Sequence, residues 1–97
     1  MSLNQSVLIC DQVNPTLKEI LEKNGLKVTH EPEITPEQIA EKIGNFEVVV
    51  VRSRTKMTRE LIAKADKCKI IARVGIGLDN IDQDAAKEKN IKVINAV

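Results

Sequence analysis

Apolar residues along this chain follow two patterns in alternation: short unbroken runs, and stretches in which they recur every three or four positions. Val7-Leu8-Ile9-Cys10 is an unbroken run that stops at Asp11, so Ser6 to Cys10 predicts a buried strand. Asn14 can then cap a helix with Pro15 in its first position, Leu17, Ile20 and Leu21 on one face, and Gly25 as the left-handed residue that ends it. Leu26 to Thr29 predicts a second strand. Thr35-Pro36-Glu37-Gln38 has the form of a capping box, and Ile39 and Ile43 mark the buried stripe of a second helix that runs to Gly44. Glu47 to Val51 ends in four consecutive valines, which cannot be amphipathic and predict a central strand covered on both faces. Thr58 caps a helix whose apolar side is Leu61, Ile62 and Ala65, and Ile70 to Arg73 is the fourth strand. Asp82 caps a last helix with Ala85 and Ala86, and Ile91 to Ile94 is the fifth strand. Strand and helix alternating in this way predict an α/β fold: a flavodoxin-like three-layer sandwich, its five-stranded, mainly parallel sheet carrying helices on both faces.

Composition narrows the picture. The 97 residues fit one small domain, and a chain of this size buries roughly 60–70% of its unfolded surface. Twelve Ile and ten Val stand against one aromatic, Phe46, so the core is aliphatic and suited to buried parallel strands. With 30% charged residues and a net charge of +1, neither a basic nucleic-acid face nor an acidic tail is indicated. Cys10 and Cys68 sit among apolar or helical neighbours and read as reduced, buried thiols of a cytoplasmic protein. A solitary His30 leaves no ligand set for a metal, and no apolar run is long enough for a membrane.

The chemistry gathers around Lys69 to Asp82, where an apolar run leads into Gly75-Ile76-Gly77. A Gly-x-Gly turn at the carboxyl end of a strand brings backbone amides close to a ligand and suits an anion. A dinucleotide fingerprint would need a third glycine where Asn80 stands, and would follow the first strand rather than the fourth. The turn therefore reads as facing a small anion. In an open parallel sheet ligands bind beyond the carboxyl ends of the strands, where Asp11, Arg52-Ser53 and Arg73 to Gly77 all fall. Strands lie ~4.8 Å apart, so Arg52 and Arg73 become neighbours if the third and fourth strands pair. A charge-assisted bond to phosphate or carboxylate is worth roughly 1.5–3 kcal/mol, enough for such a cluster to hold a dianion. The alternative is that both arginines cap strand ends and pair with nearby acids. Arg54 and Lys56 can assist an anion or simply be solvated. Asp11 resembles the first-strand acid of a receiver domain, but Arg52 stands where such a domain needs a further acid. No nucleophile and base, and no paired carboxylates, assemble at the crevice, so no catalytic residue is assigned within this chain.

The segments Val51-Arg52-Ser53-Arg54-Thr55-Lys56-Met57-Thr58, Arg73-Val74-Gly75-Ile76-Gly77-Leu78-Asp79-Asn80-Ile81-Asp82 and Ile91-Lys92-Val93-Ile94-Asn95-Ala96 resemble the amino-terminal part of the D-isomer-specific 2-hydroxyacid dehydrogenases. The resemblance implies that residues 4–97 form part of a substrate-binding lobe, with the NAD-binding Rossmann domain, the catalytic arginine, glutamate and histidine, and a returning segment of the lobe all beyond Val97. It also implies that Arg52 and Arg73 bind a substrate phosphate and that Ser53 lines the same loop. By the same resemblance Val74, Gly75, Ile76 and Gly77 face the substrate carboxylate, and Ile76 the nicotinamide end of NAD. The paired arginines favour family members acting on a small phosphorylated hydroxy acid, although glyoxylate- and lactate-type members share the glycine turn. The full-length enzyme would be a homo-oligomer with no nucleic-acid or membrane partner. A stand-alone module that binds a phosphorylated metabolite is the other reading, and the sequence past Val97 separates the two.

Overall fold

The computed structural model describes residues 5–75, 77 and 79–96. Ten elements follow in order: β1 (Ser6–Ile9), α1 (Pro15–Lys23), β2 (Lys27–His30), α2 (Pro36–Lys42) with a 3-10 turn at Ile43–Asn45, β3 (Val48–Val51), α3 (Arg59–Ala63), β4 (Ile70–Val74), α4 (Gln83–Glu88) and β5 (Lys92–Ala96). The sheet order is β2-β1-β3-β4-β5, and every neighbouring pair is parallel. This is the predicted α/β architecture, with β1, β3 and β4 in the interior where their apolar runs require cover.

The helix starts are set by the expected caps. Asn14 accepts from the Thr16 amide at 2.9 Å, Thr35 and Gln38 close a reciprocal capping box, Thr58 accepts from Leu61, and Asp82 accepts from Ala85 at 3.0 Å. Boundaries move where a cap takes a residue from a strand. The Leu26 amide donates to Leu21 O to close α1, and the Ile91 amide donates to Ala86 O at 2.8 Å to close α4, so β2 and β5 each begin one residue later than the apolar pattern suggests. Cys10 lies just past β1 but its amide still bonds Val50 O at 2.9 Å.

Alternation along the strands divides the core in two. Leu8, Val49, Val51 and Ile71 face α2, α3 and α4, packing with Ile39, Ile43, Ile62 and Ala86. Val7, Ile9, Val50 and Ala72 face the other way with Leu17, Leu21 and Val28. Each fully buried aliphatic side chain contributes about 1.5–3 kcal/mol, so the first cluster carries most of the stability. On the second face α1 lies over β1 and β2, and Ile20, expected in its buried stripe, is 51% exposed. A helix touching only the sheet half-buries its Leu17–Leu21 pair and leaves the adjoining flank in water. Over β3, β4 and β5 the same face has no covering helix among the described residues: Val48, Ile70 and Val74 are half-buried and Ile94 is 39% exposed. No helix among the described residues is long and apolar enough to cross a membrane.

Candidate functional site

Sheet order sets which loops meet. Because β1 lies beside β3, Asp11 at the end of β1 reaches the loop that follows Val51. Its carboxylate is almost fully buried and accepts from the Arg52 amide at 2.6 Å, the Thr55 amide at 3.2 Å and the Thr55 hydroxyl at 2.6 Å. Arg54 Nε lies 3.0 Å from Asp11 Oδ1, and its Nη2 donates to Cys10 O at 2.6 Å. A buried carboxylate is stable only with such partners. From the opposite side, Asn80 Nδ2 donates to Arg52 O and, at 2.8 Å, to Thr55 O. The loop is also tied to the segment after the glycine turn by Met57 N to Asn80 O at 2.8 Å and Asp82 N to Met57 O at 2.9 Å.

The turn has its own support. Arg73 and Asn95 are register partners on β4 and β5, and both donate to Gly77 O, Arg73 Nη1 at 3.1 Å and Asn95 Nδ2 at 2.7 Å. Gly75 has φ +133 and Gly77 φ +88, conformations that side chains resist. A Cβ on Gly75 would stand 3.3 Å from Arg73 Nη1, so the guanidinium lies directly beneath the turn. Ile76 falls outside the described residues.

Of the residues expected to form the site, Arg52 and Ser53 are exposed, Gly77 is exposed, Val74 and Gly75 are half-buried, and Arg73 is 9% exposed. The third and fourth strands do pair, but Val51, not Arg52, is the register partner of Arg73. The two guanidiniums consequently end on different carbonyls, Arg52 Nη1 on Gln12 O at 3.1 Å and Arg73 Nη1 on Gly77 O. Arg52 and Ser53 line a concavity of about 610 Å³ with Asp11, Gln12, Pro32, Glu33 and Arg54, and Val74, Gly75 and Gly77 are not part of that lining. Arg54, a possible anion ligand by sequence, is instead the ion-pair partner of Asp11. Asp82 is the expected cap.

Sequence reasoning assigned no role to Thr55, Asn80 or Asn95, and it put Asp11 at the ligand crevice with a phosphoacceptor as the one role weighed for it. The signal available for Asp11 was its place beside the third strand in a flavodoxin-like order. Beside it, burial and the Asp11 charge push the Cys10 thiol up to about 12, and burial pushes Cys68 to about 11, so neither is a nucleophile near neutral pH.

Comparison with known proteins agrees with this architecture. Residues 7–97 match the family described as D-isomer specific 2-hydroxyacid dehydrogenase, catalytic domain. The D-3-phosphoglycerate dehydrogenase of Methanocaldococcus jannaschii is 47% identical over 93% of this chain, which spans 17% of that protein's length. The hydroxypyruvate reductase of Thermotoga maritima is 47% identical over 78% of this chain, covering 24% of the relative. The NAD+-bound 3-phosphoglycerate dehydrogenase of Entamoeba histolytica superposes with a TM-score of 0.84 at 33% identity, over 95% of this chain and 32% of that one. The chain thus spans a minor part of the proteins it matches. The parallel sheet in 2-1-3-4-5 order, the glycine turn after its fourth strand and the family match over residues 7–97 lead to one conclusion: the chain belongs to the D-isomer-specific 2-hydroxyacid dehydrogenases.

Proposed function

We propose that this chain is the amino-terminal part of the substrate-binding lobe of an NAD-dependent D-3-phosphoglycerate dehydrogenase, the enzyme that opens L-serine biosynthesis. The observation that carries the reading is the loop after β3. Its backbone is held on both sides by buried groups, and it presents the exposed side chains of Arg52 and Ser53 to an open concavity. A guanidinium and a hydroxyl on a fixed loop suit a phosphate, whose oxygens accept charge-assisted bonds from the planar guanidinium fork. Arg73 supports the same end of the lobe from beneath the turn, where its positive charge is held between two glycines. The turn, with no side chain at Gly75 or Gly77, lets a substrate carboxylate approach the backbone. Relatives of this name supply the rest of the support.

In the reaction the C2–H bond breaks with its electron pair and the hydroxyl proton leaves, so the secondary alcohol becomes the ketone of 3-phosphohydroxypyruvate. Bound NAD supplies the hydride acceptor. The residues of this chain orient the acid: Arg52 and Ser53 hold the phosphate, and Val74, Gly75 and Gly77 set the carboxylate end. The base that takes the hydroxyl proton and most of the NAD site are assigned to the remainder of the full-length enzyme, as the family resemblance implies. Ile76, which lies outside the described residues, is the one position proposed here to meet the nicotinamide.

The 47% identity to a hydroxypyruvate reductase favours a second reading, a lobe for an unphosphorylated 2-hydroxy acid. NADH formation by the full-length enzyme separates the two. A large preference for D-3-phosphoglycerate over D-glycerate supports the first reading, and a preference for the unphosphorylated acid overturns it.

A further inference from the structure

We propose that Asp11 and Asn80 are positioning residues for the substrate's phosphate, acting through the backbone of the Arg52–Thr55 loop without touching the substrate; this rests on Arg52 and Ser53 being the phosphate ligands. The two side chains address the same two residues from opposite sides. Asp11 accepts the amides of Arg52 and Thr55, and Asn80 donates to the carbonyls of Arg52 and Thr55. Both peptide groups that bracket Ser53 and Arg54 are therefore fixed in orientation. Arg54 is itself paired with Asp11 and Cys10 O, and its half-exposed side chain stands beside those of Arg52 and Ser53 at the concavity.

The arrangement is costly in a core that is largely aliphatic. Asp11 brings a charge into it, and Asn80 Oδ1 is buried without a hydrogen-bond partner among the described residues. Only the donor face of the Asn80 carboxamide is used, and it is used entirely on the loop. Asn80 also ties that loop to the glycine turn, since its own carbonyl accepts from Met57 two residues beyond Thr55. The two parts of the proposed substrate site are thereby held at a fixed separation. A shift of the loop moves Arg52 relative to the turn, and such a shift weakens phosphate contact while leaving the carboxylate end in place.

The test uses the full-length enzyme and measures kcat and KM for D-3-phosphoglycerate and for D-glycerate in Arg52→Ala, Asn80→Asp, Asp11→Asn and the Arg52→Ala/Asn80→Asp double variant. Asn80→Asp keeps the shape and removes both donors; Asp11→Asn keeps the shape and removes the charge. The expected result is a rise in KM for phosphoglycerate of about tenfold or more in each positioning variant, with kcat and the D-glycerate constants within about twofold. The double variant should be no worse than Arg52→Ala alone, because both changes disable one contact. Equal losses on both substrates, or an unchanged KM, would mean that Asp11 and Asn80 only stabilise the fold and would overturn the proposal. If Arg52→Ala loses the phosphate preference while Asn80→Asp keeps it, the phosphate reading stands and the positioning role falls. If Arg52→Ala keeps the preference, the phosphate reading itself fails and takes the positioning role with it. Should an isostere fail to fold, Thr55→Val, which removes only the 2.6 Å hydroxyl bond to Asp11, gives the same readout on a smaller scale, and an unchanged KM there overturns the proposal.

Discussion

Replacing Gly75 with alanine places a side chain where both the backbone and the packing oppose it. At φ +133 an L-residue lies outside even the left-handed helical region, and holding one there costs about 1–3 kcal/mol. The new Cβ would also sit 3.3 Å from Arg73 Nη1, a group that is nearly buried and already bonded to Gly77 O. The guanidinium can yield a few tenths of an ångström, which weakens rather than abolishes its bond, so the backbone dominates and the total comes to about 2–3 kcal/mol. For a domain of this size each kcal/mol lowers Tm by roughly 4–8 °C. Gly77→Ala is the internal control. Its φ of +88 lies nearer the left-handed region, and the Cβ meets the carboxylate of exposed Asp79, which can swing aside, so about 1 kcal/mol is expected there. Urea unfolding followed by circular dichroism, on the wild-type chain and both variants, gives the two differences directly. A Gly75→Ala variant within about 0.5 kcal/mol of wild type, or one less damaged than Gly77→Ala, would refute this account of the turn.

Three further outcomes are expected. Neither thiol should react with a disulfide reagent at pH 8 in the folded chain, and both should react in urea; because the native thiols stay protonated up to about 12 and 11 while unfolded ones ionise near 9.0, stability should also fall as pH rises from 9 towards 12. The uncovered face over β3 to β5 should bind a hydrophobic dye or drive self-association, and Ile94→Lys should reduce both, whereas a dye-silent monomer would contradict the exposure of that face. The isolated 97-residue chain should form no NADH from D-3-phosphoglycerate, since hydride transfer needs a bound nicotinamide and a positioned base that the proposed function assigns to the rest of the enzyme.

The fold was largely legible because each element carries its own local signal. Four consecutive valines admit only a buried strand, and Asn14, Thr35, Thr58 and Asp82 each stand at a helix start with the side chain a cap requires. Ile20 was misplaced because periodicity shows which residues share a helix face but not how much of that face a neighbour covers. The site was legible in position and less so in geometry. Arg52, Arg73 and Gly75 all fall at strand ends, as the topology demands, yet register decides what each side chain meets, and a one-residue offset sends Arg52 to Gln12 and Arg73 to Gly77. Asp11 and Asn80 were opaque for a related reason. Each bonds the backbone of Arg52, 41 and 28 positions away respectively, and no local pattern encodes such partners.

Recognition of a phosphate by the exposed guanidinium of Arg52 is the proposal on which the function rests. It is tested most directly by kcat/KM of full-length wild type and Arg52→Ala on D-3-phosphoglycerate and on D-glycerate. Losing a charge-assisted bond of roughly 1.5–3 kcal/mol corresponds to about ten- to hundredfold, so the phosphorylated substrate should lose that much while D-glycerate changes by about twofold or less. Arg52→Lys should recover part of the loss, because an ammonium restores the charge but not the planar fork. Equal losses on the two substrates, or no loss on either, would contradict the account.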